Sequence, residues 1–210
     1  MQESICETTA GSRSIMLPDS FDSIGYLEQG SMLQRSAYAA LRRCGVMEQL
    51  QKYDPVLVGT IPIHLSIADS DLDILCEVHD LDDFVRSMAS WVKEHKEADI
   101  HQGFQAGIPY ACIRFYEPPF VIEIFSQPVP VRRQNGYRHM LFEAKLLRLG
   151  GRELADRIRR LKQVGYKTEP AFAKLLSLEG DPYEALLQLE NDSDERLAEL
   201  ISTTSSSNMA

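Results

Sequence analysis

Apolar residues in the first two-thirds of the chain switch between helical and strand-like spacing. From residue 34 to residue 52 they recur every three or four positions, which predicts an amphipathic helix despite Gly45. From residue 70 to residue 78 they alternate strictly with polar residues, which predicts a strand with one buried face. The same criteria predict a helix at 80–96 that is capped by Asp80. Extended segments are predicted at 56–58, 61–69, 110–116 and 120–126, and the last two should form an antiparallel hairpin.

From residue 134 onward the spacing of apolar residues is helical throughout. Five helices are predicted, at residues 134–149, 152–164, 169–178, 181–190 and 193–202. Mixed strands and helices followed by helices alone predict an α+β fold, in which a mixed-sheet core carries a C-terminal helical appendage. We divide the chain into an N-terminal arm (1–30), a core (31–128), the appendage (129–202) and a disordered tail (203–210).

The composition restricts the classes of partner. The chain has 31 acidic residues against 22 lysines and arginines, which gives a net charge of −9. Duplex nucleic acid and anionic membranes require a basic face, so we expect neither extended duplex binding nor membrane binding. The chain shows no apolar run of roughly 18 residues and no signal-peptide run, and its four cysteines form no CxxC pair. These features predict a cytoplasmic protein.

Carboxylates occupy positions in two strands that are otherwise built for burial. Asp71 and Asp73 flank Leu72, so the period of two places both carboxylates on one face, roughly 7 Å apart. Such a pair needs a counter-charge, and a divalent cation with oxygen ligands would supply it. Glu123 is the single acid in the strand at 120–126. If the two strands are neighbours, three carboxylates converge; the alternative is that all three simply face solvent.

Gly59 and Thr60 follow a short apolar strand and lie twelve residues before Asp71. A glycine lets the backbone approach a bound group, and a hydroxyl can bond a phosphate oxygen. The string Leu57-Val58-Gly59-Thr60, a gap of ten residues and then Asp71-Leu72-Asp73-Ile74 resembles the signature of the nucleotidyltransferase superfamily, whose fold is that of DNA polymerase β. The resemblance covers roughly residues 35–127. The stretch is also similar to a small bacterial family of unassigned function within that superfamily.

This resemblance implies a nucleotidyltransferase-like core and a metal-dependent activity. By the resemblance, Asp71, Asp73 and Glu123 would be catalytic and would hold Mg²⁺ or Mn²⁺, and Gly59 and Thr60 would hold phosphate. The substrate would be a nucleoside triphosphate, whose nucleotidyl group passes to the hydroxyl of an unknown acceptor.

A local basic cluster lies at the entry to the first helix of the appendage and consists of Arg132, Arg133, Arg138 and His139. Arg133 and Arg138 suit a triphosphate, Gln134 lies four residues before Arg138 on one helical face, and Tyr137 could stack on a base. We therefore expect these residues to form the wall of a cleft opposite the three carboxylates. Without a metal, the pKa of at least one carboxyl group should be raised. The alternative is a solvated cluster that pairs with surface acids.

Two further interpretations remain open from the sequence. The first is a binding module of the same fold that binds a nucleotide or a protein without turnover. It is favoured by Thr60, which stands where the superfamily signature usually has Ser or Gly. The second is a metal-dependent phosphohydrolase that uses the same three acids to activate water. Only the identity of the products separates these activities.

Overall fold

The structure is a computed structural model that describes residues 15–68, 70–93 and 98–206. Within these ranges the helices are α1 (Met32–Cys44), α2 (Val46–Gln49), α3 (Leu81–Val92), α4 (Asn135–Gln163), α5 (Thr168–Leu175), α6 (Pro182–Gln188) and α7 (Asp194–Ser206). The strands are β1 (Val56–Val58), β2 (Leu72–Glu77), β3 (Asp99–Gln105), β4 (Ile108–Glu117) and β5 (Phe120–Gln127). Short 3₁₀ turns occur at Ile24–Gln29, Gln51–Tyr53 and Val131–Arg133. The predicted α+β fold is confirmed.

The strands form one mixed sheet in the order β1-β2-β5-β4-β3. β2 and β5 are parallel, and the other neighbouring pairs are antiparallel. The predicted hairpin of β4 and β5 is confirmed. β3 was not predicted, because this edge strand is polar and none of its residues is buried, so it lacks the alternation that marks a half-buried strand.

Helices cover both faces of the sheet. Leu72 of β2 packs with Leu41 of α1 and Phe84 of α3 on one face. Leu75 points to the other face, where it joins the apolar core formed with helices α4 to α7. Because side chains alternate along a strand, Asp73 lies on the same face as Leu75, towards the appendage. None of the helices in the described part of the chain is both long and apolar enough to span a membrane.

The predicted helix at 34–52 is interrupted. α1 begins two residues earlier than predicted, where the Ser31 hydroxyl accepts a hydrogen bond from the Gln34 backbone N–H. It ends at Gly45, whose φ of 69° is left-handed, and α2 follows in a new direction. α3 begins after Asp80 as predicted, with the Asp80 side chain accepting from the Asp83 N–H at 2.9 Å. Residues 94–97, at its predicted end, lie outside the described ranges.

The appendage contains the predicted break in its first helix. Gly151 has φ 60° and ψ −156°, which separates the two halves of α4 between residues 149 and 152. α7 continues to Ser206, so the tail predicted to be disordered from 203 begins as helix, and residues 207–210 lie outside the description. Of the predicted arm, residues 1–14 are also outside it, and Leu27 is fully buried against α1 and the sheet.

The segment at 61–69 was predicted to be extended, and this prediction is wrong for its first half. Residues 61–64 form a turn that is closed by a hydrogen bond from the Leu65 N–H to the Thr60 carbonyl at 2.9 Å. The alternating pattern of isoleucine and leucine instead reflects burial of the turn. Ile61, Ile63 and Leu65 are each at most 1% exposed.

Candidate functional site

The three predicted acids converge on the face of the sheet that carries the appendage. Asp73 of β2 is the register partner of Glu123 in the parallel strand β5, and neighbouring strands lie about 4.8 Å apart. Asp71 precedes β2, and its Oδ2 lies 3.1 Å from Nη2 of Arg114, which is opposite Glu123 across β4 and β5. We call Asp71, Asp73 and Glu123 the strand carboxylates.

Arg114 is part of this site and was not predicted from the sequence. Its Nε lies 3.4 Å from Oε2 of Glu123, so one guanidinium bridges Asp71 and Glu123. The available signal was a single cation in the apolar run Ala111-Cys112-Ile113-Arg114-Phe115. A charged residue in such a strand needs a partner, just as Glu123 does.

The pKa of the Asp73 carboxyl group is strongly raised. Burial raises its pKa from 3.8 to about 7, and the nearby carboxylates of Glu123 and Asp71 add to the rise. The cations of Arg114 and Lys162 offset part of this effect. The predicted rise of at least one of these pKa values is present at Asp73, but burial contributes more to it than the crowding that was expected to cause it. A cation placed here would be favoured.

The Gly59 turn lies directly against Asp73. Gly59 has φ 81°, and a Cβ at this position would lie 2.3 Å from Oδ2 of Asp73. Only glycine therefore satisfies both the backbone conformation and the close approach. The hydroxyl of the next residue, Thr60, is 3.3 Å from the Ser70 hydroxyl. This turn and the Asp73 carboxyl group form one continuous polar surface.

Two buried side chains hold the turn in place. Gln34 of α1 donates from Nε2 to the Ile61 carbonyl at 2.9 Å, and Lys162 of α4 donates to the Leu65 carbonyl at 2.9 Å. The turn is thus fixed from the core on one side and from the appendage on the other. The helical appendage consequently positions the site as well as covering it.

A cleft of about 510 Å³ separates the sheet from the appendage. Gly59, Thr60, Asp73 and Glu123 line it on the sheet side. Neither Asp71 nor Arg114 is among its lining residues; Asp71 is linked to the cleft residue Glu123 by the Arg114 guanidinium, which pairs with both acids. The strand carboxylates therefore share one face, but two of the three reach the cleft itself.

The predicted basic wall is only partly present. Arg133 and Gln134 line the cleft. The Gln134 amide nitrogen donates to the backbone carbonyls of Cys76 and Val129, each at 2.9 Å, so this amide group fixes the helix entry to the sheet.

The expectation that Arg138 and Tyr137 face the cleft is wrong. Arg138 makes a bidentate ion pair with Glu190, with distances of 2.9 and 3.2 Å, on another side of α4. Tyr137 is 8% exposed and belongs to the apolar core, with the Arg132 guanidinium 6.0 Å from its ring centre. α4 begins at Asn135, and its cleft-facing positions continue at Gly136 and His139, so residues 137 and 138 point elsewhere.

A second polar group lines the other end of the cleft. One ligand atom from each of His139, Glu143 and Glu169 lies within 4.8 Å of the others. We call these residues the helix cluster. His139 was predicted only as a member of the basic cluster, and neither acid was predicted as a site residue. The available signal was His139 and Glu143, four residues apart among the buried apolar positions of one helix.

The charges of the helix cluster are set mainly by burial. Burial lowers the pKa of His139, which favours a neutral imidazole ring. Burial and the neighbouring Glu169 raise the pKa of Glu143 well above its ordinary value, and Lys162 opposes the rise. The cluster thus combines nitrogen and oxygen donors with few compensating charges.

Comparison with known proteins identifies a family. Residues 39–189, well over half of the chain, match the family described as "Domain of unknown function (DUF4269)". The chain belongs to the DUF4269 family. A search of curated proteins finds no match to this DUF4269 member.

Solved structures similar to the DUF4269 chain include Cid1 poly(U) polymerase with bound MgGTP, at 14% identity and a TM-score of 0.46. The match covers 74% of this chain and 48% of the polymerase, so the chain spans about half the length of that protein. The polymerase core of the TRAMP RNA surveillance complex matches at 16% identity and a TM-score of 0.43, covering 86% of this chain and 60% of that one.

Two groups of donors in this DUF4269 chain are candidate metal ligands, and among the described residues only the helix cluster brings three such ligand atoms within 4.8 Å of one another. The strand carboxylates offer oxygen ligands only, which suits hard cations such as Mg²⁺ or Mn²⁺. The helix cluster offers an imidazole nitrogen with two carboxylates, which suits borderline ions such as Zn²⁺. Both groups lie along one cleft.

Proposed function

We propose that this DUF4269 protein is a metal-dependent nucleotidyltransferase that transfers a nucleotidyl group from a nucleoside triphosphate to an acceptor hydroxyl. One observation carries the proposal. Asp73 and Glu123 are register partners on adjacent strands, with Asp71 on the same face and the Gly59 turn packed against Asp73. Three acids beside a glycine turn offer sites for a metal ion and for a phosphate group together.

The donor set fits Mg²⁺ or Mn²⁺. Carboxylate oxygens are the ligands these ions prefer, and the burial and neighbouring carboxylates that raise the pKa of Asp73 would favour a cation beside it. Asp71, Asp73 and Glu123 would hold the ion or ions. An ion held there would act as a Lewis acid and would neutralise negative charge on the phosphoryl group during displacement.

The chain's own residues would bind and orient the substrates. The Gly59 backbone permits close approach of a phosphate group, and the Thr60 hydroxyl would exchange its Ser70 partner for a phosphate oxygen. Arg133 supplies a positive charge at the entry to α4. The acceptor oxygen would attack the α-phosphorus, pyrophosphate would leave, and Glu123 would help to remove the hydroxyl proton.

A binding module without turnover is a second candidate, and two observations favour it. Arg138 pairs with Glu190 outside the cleft, so one of the expected triphosphate partners is missing from the wall. Arg114 already bridges Asp71 and Glu123. A guanidinium in that position neutralises part of the negative charge that would otherwise attract metal ions.

Calorimetric titration tests the metal and nucleotide site. Wild-type protein should bind Mg²⁺ with a nucleoside triphosphate, and the double variant Asp71→Asn/Asp73→Asn should lose this binding. Asp82→Asn, an acid-to-amide change at an exposed position of α3, serves as the control and should bind normally. Identical binding by the wild type and the double variant would show that the site is assigned wrongly.

Product analysis then separates the activities. Labelled nucleoside triphosphates are incubated with mixed acceptors, and nucleotidyl transfer predicts pyrophosphate release that Asp73→Asn abolishes. Binding without any product would favour the second candidate. Free phosphate or nucleoside monophosphate without a modified acceptor would instead identify a phosphohydrolase.

A further inference from the structure

We propose that the helix cluster of His139, Glu143 and Glu169 is a separate site for a divalent transition-metal ion of the Zn²⁺ class. The three ligand atoms already lie within 4.8 Å of one another. All three residues line the cleft, so an ion could enter from solvent. This inference goes beyond the proposed function, because it concerns side chains that nucleotidyl transfer at the strand carboxylates does not use.

Two buried polar atoms in the cluster lack any hydrogen-bond partner. They are Nδ1 of His139 and Oε1 of Glu143, in side chains that are only 5% and 3% exposed. Buried polar atoms almost always have a partner, because leaving one without a partner costs free energy. A metal ion bound between the ring and the carboxylate would provide a partner for this cluster.

The fold holds the donors in a suitable arrangement. His139 and Glu143 are four residues apart on α4, which places them on one helical face. Glu169 comes from the first turn of α5, which packs against α4. The ring of Tyr183 meets the His139 ring edge-on, with centres 5.9 Å apart, and this contact restricts the imidazole. The donors therefore belong to packed helices.

The neighbouring cation does not occupy the site. The positive charge of Lys162 opposes the rise in the pKa of Glu143. The Lys162 ammonium group, however, donates its hydrogen bond to the Leu65 carbonyl at 2.9 Å. Oε1 of Glu143 remains without a hydrogen-bond partner.

The donor chemistry indicates the class of ion. One imidazole and two carboxylates form a borderline ligand set, which suits Zn²⁺, Co²⁺ or Mn²⁺ better than Mg²⁺. Three protein ligands leave a coordination position open, as in catalytic zinc sites. That position would be available to water or to a ligand in the cleft.

Cobalt titration of the full chain tests this assignment. Protein is stripped with a chelator, titrated with Co²⁺ and followed by visible absorption, and Zn²⁺ is then added as a competitor. The wild type should bind one equivalent that Zn²⁺ displaces. His139→Gln and Glu169→Gln should each weaken binding by at least about 10- to 100-fold, the loss that even an outer-shell change produces.

Controls separate this site from the strand carboxylates. Glu153→Gln changes an exposed acid on the same helix and should bind Co²⁺ normally. Asp73→Asn should also retain the Co²⁺ site, whatever its effect on Mg²⁺ and nucleotide. Glu169 is only half-buried, so Glu169→Gln remains informative if His139→Gln fails to fold, and circular dichroism checks both variants.

Three outcomes would overturn the assignment. They are a wild type that binds no Co²⁺ or Zn²⁺, unchanged binding in folded Glu169→Gln, and loss of the Co²⁺ signal in Asp73→Asn. The last outcome would assign the ion to the strand carboxylates. Failure of nucleotide binding alone would affect only the proposed function, because the Co²⁺ signal is measured without nucleotide.

Discussion

Replacing Asp73 by asparagine should make the metal-free protein less sensitive to high pH. Burial and the carboxylates of Glu123 and Asp71 raise the pKa of Asp73 to about 7. An acid whose pKa is higher in the folded state contributes stability at low pH, and that contribution is lost as the pH rises through the folded value. Asparagine keeps the shape of the side chain and removes the titration.

The size of the effect follows from the two pKa values. With 3.8 in the unfolded chain and about 7 in the folded protein, ionised Asp73 costs about 4 kcal/mol at pH 8 and less than half of that at pH 5. The wild type should therefore lose about 3 kcal/mol of stability relative to Asp73→Asn between these pH values. Any constant effect of the substitution cancels in this difference.

Urea unfolding at pH 5 and pH 8 in a chelating buffer measures the difference directly. Asp82→Asn, at an exposed position of α3, provides the control and should follow the wild type at both pH values. Mg²⁺ added at pH 8 should stabilise the wild type more than Asp73→Asn, because it supplies the missing positive charge. Parallel pH profiles of the wild type and Asp73→Asn would refute the reasoning, since they would mean that Asp73 titrates normally in the folded protein.

Three further substitutions test other contacts. Gly59→Ala should lower the free energy of unfolding by about 1–2 kcal/mol because of its left-handed backbone, and should weaken Mg²⁺ binding because the new methyl group clashes with the Asp73 carboxyl group. Gly107→Ala, with φ 79° and open space around it, is the control and should lower stability alone. Thermal unfolding measures stability, and calorimetry measures Mg²⁺ binding. Arg138→Ala should remove the half-buried ion pair with Glu190, lower the free energy of unfolding in urea by about 1 kcal/mol and leave nucleotide binding unchanged. Weakened nucleotide binding would contradict the position of Arg138 outside the cleft. Glu143→Gln should reduce the loss of stability at rising pH in a chelator, because burial raises the pKa of this carboxyl group, and an unchanged pH profile would argue against that burial.

The sequence predicted the strand carboxylates because the period of a strand fixes which side chains share a face. Strict alternation around Leu72 determined the orientation of Asp71 and Asp73 before any partner strand was known. The isolated acid Glu123 suggested a third member if its strand were a neighbour of β2, and the structure pairs Glu123 with Asp73. Local periodicity was therefore enough for this half of the site.

The other half depended on tertiary packing that local patterns do not contain. The basic residues before and within α4 were predicted to face the cleft. The apolar contacts of α4 decide which of its faces lies against the sheet, and they place Arg138 beside Glu190 instead. Glu169 reaches His139 from a different helix, and this proximity leaves no spacing pattern in the sequence. The edge strand β3 was missed for a related reason, since it buries no residue.

The charges along the cleft constrain how a nucleotide could bind. The strand carboxylates have Arg114 as their bridging cation, and Glu143 and Glu169 of the helix cluster have Lys162 near them. Like charges about 4 Å apart repel by roughly 4 kcal/mol at an effective dielectric constant of about 20. A triphosphate entering such a cleft alone would add negative charge beside these acids. If the protein binds a nucleotide as proposed, divalent ions would enter before the nucleotide or together with it, and their entry should release the proton that the raised pKa of Asp73 retains.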